Sequence, residues 1–415
     1  MGVQGLKAQL ELYYSPEVVT LHQEQGKGQV LLVDASAVKL QSYIRLGFTA
    51  NDPPENWAEL FYQAICAYFQ ALHRTGLDLV CILEGAMAVG VEEDTLAHRR
   101  RELQMQGHLV NSDASMVFVQ ALRDLQIPFH RALHANDAAL LGWYTNNSSK
   151  VFAMLTNDSD FLIYGVEKLV FTGDVTVDTF STTFQVWRSS VAWLEWRKNR
   201  MNKGVHPVSL TTRAQIAAIL GSEVNEAVRV KKWSFALLNI DSPLTAAELL
   251  IASPVDDDLS VKMFQEDLGM KDFSEKELSM LNVVMKQYLD MEAMGATDLK
   301  SLMVSETTLP WVAPEVVERI ASHNVPPMLV ELVTRGLADF PGQHASDWGA
   351  FGAERAAAVA ALFVGDGPAT YLRDPHTNTA QQVTAGGGVT PADWVDPSSL
   401  SVLKDLVPAS GEKAG

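Results

Sequence analysis

Apolar residues cluster differently in the two halves of the chain. In the first half, strand-like runs recur at 29–34, 77–84, 127–132, 151–156 and 168–172. The clearest, Val30-Leu31-Leu32-Val33, Leu79-Val80-Cys81-Ile82-Leu83 and Val151-Phe152-Ala153-Met154-Leu155, are continuous rather than alternating. Continuous apolar strands belong to parallel sheets covered on both faces. Helical periodicity fills the gaps between them. From Glu55 to Arg74 it aligns Trp57, Phe61, Ile65, Tyr68, Phe69 and Leu72 on one stripe, and Ser115–Gln126 and His134–Tyr144 follow the same spacing. The alternation predicts an α/β fold with right-handed crossovers. Residues 86–113 break it: they are polar, and they read as an excursion over the sheet's edge.

Beyond about residue 236 the strand signal fades. Thr245–Ala252, Ser274–Met294, Pro314–His323 and Pro327–Gly336 read as helices separated by turn chemistry. Past about 370 the pattern dissolves into Gly386-Gly387-Gly388 and Ser/Pro/Asp-containing sequence. The expected organisation is an α/β domain over 1–235, an α-helical domain over 236–370 and a flexible tail over 371–415.

Charge sharpens this division. The formal net charge of −18 argues against a general nucleic-acid coat protein. Yet residues 1–235 carry 21 Lys and Arg against 24 Asp and Glu, whereas the remainder carries 11 against 26. The acidity belongs to the second half, whose expected role is protein partnership. Cys66 and Cys81 both lie in apolar segments and read as core thiols in a reducing compartment, cytosol or nucleus, with no secretion expected. No apolar run approaches the roughly 20 residues of a membrane helix.

The candidate chemistry lies in six acids. Asp34 closes the first apolar run, Glu84 closes the second, and Asp158 and Asp160 follow the fourth. Asp137 and Glu223 fall on predicted helices. In parallel sheets ligands bind outside the carboxyl ends of the strands. Carboxylates gathered there would repel one another unless a cation lay between them. An all-oxygen donor set suits Mg²⁺ or Mn²⁺. Taken singly, each acid also has a plainer role. Asp34 would cap the next helix, Asp158 and Asp160 would make Asx turns, Asp137 would be a first-turn helix acid, and Glu84 and Glu223 would be solvated. Similarly, Arg99–Arg101 reads as a phosphate clamp or as a solvated face. Trp187, Trp193 and Trp196, interleaved with basic residues, read as a partly buried amphipathic helix before a strand-stacking surface.

These residues, in this order, resemble the flap-endonuclease (XPG-type, PIN-like) nuclease superfamily. Met1-Gly2-Val3-Gln4-Gly5-Leu6 is similar to its N-terminal motif, and Leu32-Val33-Asp34-Ala35-Ser36 to its first metal-ligand strand. Leu83-Glu84-Gly85 stands for Phe-Asp-Gly, and Asn157-Asp158-Ser159-Asp160 for Asp-x-Asp. Ala135-Asn136-Asp137-Ala138 replaces Glu-Ala-Glu-Ala, losing one acid, and Leu220-Gly221-Ser222-Glu223 replaces Leu-Gly-Cys-Asp. The resemblance spans about residues 1–230. It implies two divalent ions held by Asp34, Glu84, Asp137, Asp158, Asp160 and Glu223. It also implies Arg99 or Arg100 at the reacting phosphate, and Gly2 and Arg99 against branched or single-stranded nucleic acid in repair-type processing. The departures are specific. The Gly-x-Gly-Pro turn that grips duplex is Val224-Asn225-Glu226-Ala227 here, the stacking Tyr is Leu40, and the lid Lys has no counterpart. Such losses resemble the asteroid-type proteins and the constitutive coactivators of PPAR-gamma. That resemblance implies the alternative of an inactive scaffold for RNA or protein.

Overall fold

The computed structural model describes residues 6–48, 55–85, 114–134, 136–201, 208–220, 275–295, 299–309, 314–322, 337–339, 370–374 and 379–383. Its centre is a five-stranded, wholly parallel sheet. The strands are β2 (Val30–Asp34), β3 (Asp78–Leu83), β4 (Phe129–Arg131), β5 (Val151–Thr156) and β6 (Leu169–Phe171), in the order β4-β3-β2-β5-β6. All five were legible as strand-like runs. Successive residues of β2 explain why: Leu31 and Val33 enter one core while Leu32 enters the other, and all three are fully buried. A strand with two dry faces has no polar face to show.

Helices cover both sides. On one side lie α2 (Ala35–Arg45), α3 (Trp57–Arg74) and α4 (Ala114–Asp124), whose Val38, Phe61, Phe69 and Phe118 pack with Leu31 and Val33. On the other lie α1 (Leu6–Glu11), α5 (Asn136–Asn147), α6 (Asp160–Tyr164), α7 (Ser189–Met201) and α8 (Leu210–Leu220). Trp187, Trp193 and Trp196 are buried in that second core, so the stacking-surface reading of these rings gives way to packing. Lys7 secures α1: its ammonium sits 2.8 Å from Asp174 Oδ1 and 4.5 Å from the centre of the Phe171 ring, and Trp187 Nε1 donates to Asp174 Oδ2.

Two departures from the expected element list stand out. A second, antiparallel sheet joins β1 (Glu17–His22), β8 (Ser181–Val186) and β7 (Val175–Val177) in the order β1-β8-β7. A small sheet also forms in the second half, from β9 (Leu337–Asp339), β10 (Thr370–Asp374) and β11 (Thr379–Val383), where only helices and a loose tail were expected. The helix expected over 274–294 forms as α9 (Glu275–Gly295); it packs against α5 and α8, and its Met285 and Tyr288 join the second core. The helix expected at 314–323 is α10 (Pro314–Ser322). Those expected at 245–252 and 327–336, the 86–113 excursion, the triple glycine and most of the tail lie outside the described residues. Both cysteines are free thiols, and no described helix is long and apolar enough to cross a membrane.

Candidate acidic site at the sheet edge

Because the sheet is parallel, its strand ends fall on one edge, and topology alone delivers four acids there. Asp34 ends β2, Glu84 follows the last residue of β3, Asp158 lies two residues beyond β5, and Asp160 opens α6. Asp137 arrives in the first turn of α5, after β4. Four of these acids act on the fifth through their charge. Burial raises the Asp137 carboxyl well above the ordinary 3.8, and the charges of Asp158, Asp34, Asp160 and Glu84 push it in the same direction.

Asp34 is the anchor. Its side chain is buried and caps α2: Oδ1 accepts from Ser36 N at 3.1 Å and Ala37 N at 3.2 Å. Asn136 Nδ2 donates to the same oxygen at 2.8 Å, and Thr156 Oγ1 donates to Oδ2 at 2.7 Å. Even so, burial raises its pKa, outweighing the opposing bonds from Thr156, Asn136 and Ala37, and the charge of Asp158 raises it further. The helix-cap role is therefore real, and it coexists with membership of the acidic edge.

From Asp34 the bonding continues along the β5–α6 turn. Thr156 Oγ1 accepts from Asp158 N at 3.0 Å, and Asp158 Oδ1 accepts from Asp160 N at 2.9 Å, which is the Asx turn expected of this pair. The relay ends on a residue that sequence reasoning missed. Tyr288 of α9 donates its phenol to Asp160 Oδ1 at 3.0 Å. Burial, and then the Asp160 charge, holds that phenol well above its usual range, so it remains a donor.

Glu84 stands on the opposite flank. Its Oε2 accepts from Ser36 Oγ at 3.1 Å, and its carbonyl accepts from Arg131 Nη1 at 3.3 Å. Arg131 Nε also reaches Ile320 O in α10, and burial pulls the guanidinium down to about 10. Gly85 is required beside it, since a Cβ there would lie 2.0 Å from Ala132 O. Lys39, one turn along α2 from Ser36, is a second cation that the motif reading passed over. It donates to Ser115 Oγ at 2.8 Å; burial lowers its pKa, while the charges of Glu84 and Asp34 oppose that shift. Only a short apolar stretch of helix surrounds it in sequence, so nothing but the fold reveals its neighbours.

The donor set is wholly oxygen, and the charges of its neighbours raise the Asp137 carboxyl further; both properties fit a hard divalent cation. Among the described residues, however, no three His, Cys, Asp or Glu side chains stand close enough to hold one ion together. The edge has the composition of a metal centre, and its carboxylates accept bonds from internal donors. Glu223, Arg99, Arg100 and Gly2 lie outside the described residues.

No protein-family model and no curated protein matches the chain. Solved structures are similar at low identity. They include the catalytic core of Rad2 in complex with DNA substrate, at 15% identity over 72% of this chain and 80% of that one, TM-score 0.42. Human GEN1 in complex with Holliday junction DNA is 15% identical over 81% and 78%, TM-score 0.40. Flap endonuclease-1 from Methanococcus jannaschii is 14% identical over 69% and 99%, TM-score 0.33. Scores of this size carry no functional assignment.

Proposed function

We propose that this chain is a divalent-metal-dependent, structure-specific nuclease that hydrolyses phosphodiesters in branched or single-stranded nucleic acid. The observation that carries the reading is the half-buried Asp137 carboxyl, in the first turn of a helix at the sheet edge, with four other carboxylates acting on it. Gathering like charge around a half-buried carboxyl disfavours its charged form unless a counter-charge joins it. The resemblance assigns one Mg²⁺ or Mn²⁺ to Asp34, Glu84 and Asp137 and a second to Asp158, Asp160 and Glu223; to hold the first, its three carboxylates would have to draw closer together than they stand here. When bound, such a pair supplies an acidified water and charge at the leaving oxygen. The chain's own contribution is orientation. Asn136 and Thr156 fix Asp34, the Asx turn fixes Asp158 relative to Asp160, and Ser36 holds Glu84. Arg99 or Arg100 would bring positive charge to the reacting phosphate, and Gly2 would admit the backbone closely. Without a Gly-x-Gly-Pro turn the grip on long duplex should be poor, favouring ends, flaps and single strands.

A second reading, an inactive scaffold for RNA or protein partners, is favoured by one contact. The Asn136 amide, in the segment where the resemblance expects paired Glu, already satisfies Asp34 Oδ1. Incision of a labelled flap, a 3′ overhang and a blunt duplex in Mn²⁺, with wild type and Asp158→Asn, separates the two. Wild-type cleavage abolished by Asp158→Asn supports the nuclease. No cleavage of any substrate by folded protein supports the scaffold, and equal cleavage by both proteins points to contamination or a different site.

A further inference from the structure

Tyr288 comes from a helix more than a hundred residues beyond the acids, yet its phenol ends the hydrogen-bond relay through Asp34, Thr156, Asp158 and Asp160. It is buried at 4% exposure, and its ring lies 5.7 Å from that of Tyr164, at the far end of the short helix that Asp160 opens. The helix carrying it packs against α5, whose first turn holds Asp137, and also against α6 and α8. We propose that Tyr288 is a positioning residue for the acidic edge: its hydroxyl sets the orientation of Asp160, so that the edge is incomplete without α9.

The argument is geometric. Asp160 occupies the first turn of a five-residue helix. Such a short helix does little to fix the aim of a side chain, since most helical stability comes from packing. Tyr288 brings a rigid ring, a fixed phenol direction and a buried mount. A carboxylate held in this way presents its remaining lone pairs in a defined direction. Outer hydrogen-bond partners of metal-binding carboxylates commonly contribute about 10- to 100-fold to metal affinity. This inference rests on the metal-binding reading proposed above.

Two substitutions test it. Tyr288→Phe keeps the ring and loses the donor, whereas Tyr288→Gln loses the ring and keeps a donor. Mn²⁺ affinity is read by calorimetry on the full chain, and folding by metal-free thermal melts. A positioning hydroxyl predicts opposite orders: Gln melts below Phe, but Phe binds Mn²⁺ about 10- to 100-fold more weakly than wild type and more weakly than Gln. Wild-type Mn²⁺ affinity in Tyr288→Phe, or affinities that follow the melting order, would overturn the inference and leave the metal reading standing. No Mn²⁺ binding by the wild type would overturn both. If Tyr288→Phe fails to fold, unchanged Mn²⁺ affinity in a donor-less Tyr288→Met variant would be equally adverse.

Discussion

Asp178 and Asp34 are two aspartates with similar bonding and opposite electrostatic outcomes. Asp178 lies at the tip of the β7–β8 hairpin in the antiparallel sheet. It accepts from Phe180 N and Ser181 N at 2.7 Å each and from Ser181 Oγ at 2.6 Å. It stays in water, and those bonds, led by Ser181 Oγ, lower its pKa. Asp34, at the edge of the parallel sheet, accepts four bonds, yet its pKa is raised because desolvation outweighs them. Hydrogen bonds to a carboxylate do not by themselves keep it charged; the surrounding dielectric decides. The hairpin Asp is a turn residue that happens to be well bonded. In the sheet-edge Asp, burial works against the charged form despite four donors.

The largest expected effect falls on the buried member of this pair. Asp34→Ala removes a helix cap and leaves the Asn136 amide and the Thr156 hydroxyl without their acceptor. It should destabilise the protein by about 3 kcal/mol in urea denaturation. Asp178→Ala should move the midpoint little, since water replaces the lost partners. Comparable losses for the two variants would erase the distinction.

Next in size is the relief of crowding. Asp137→Asn keeps the shape of the side chain and removes its charge from among four carboxylates. It should stabilise the metal-free protein at neutral pH, read as a higher urea midpoint than that of wild type. A destabilised Asn variant would mean that the carboxyl is held by bonds rather than strained by charge. The same logic makes millimolar Mg²⁺ or Mn²⁺ raise the wild-type melting temperature more than that of the Asn variant.

The smallest effect is a pH slope. The folded-state pKa values of Asp34 and Asp137 lie above the ordinary 3.8, so the native state binds more protons than the unfolded chain. Their contribution is fully present below about pH 3.8 and is lost as pH rises through the raised folded values. Asp178 has the opposite sign: its contribution is present above the ordinary value and is lost as pH falls through its lowered one. Thermal melts of wild type against Asp137→Asn across pH 4–8 should converge at the acid end and separate as pH rises. Parallel curves would show that Asp137 titrates normally.

The legibility of the molecule divides in the same place as its aspartates. Strands β2, β3 and β5 were readable because two buried faces leave continuous apolar runs. Strand β1 was missed: its burial alternates between exposed and half-buried, and its Glu17, Thr20 and His22 carry little apolar signal. Its stability comes from pairing with β8, more than 150 residues away, a contact that local pattern cannot encode. The acids were found by their positions at strand ends. Lys39 and Tyr288 were not, because neither has a motif. One meets the edge by its place on α2, the other through the packing of α9 on α5.

By itself, then, the sequence determined that a parallel sheet would form and that acids would sit at its carboxyl edge, since strand polarity puts every strand-end residue on one side. Only the tertiary structure decided how those acids are held. The Asn136 amide and Thr156 hydroxyl on Asp34, the Tyr288 phenol on Asp160 and the Arg131 guanidinium on the Glu84 carbonyl are contacts between distant segments. Desolvation, which raises the pKa of Asp34 and Asp137, is a property of the assembled core that no residue carries along the chain.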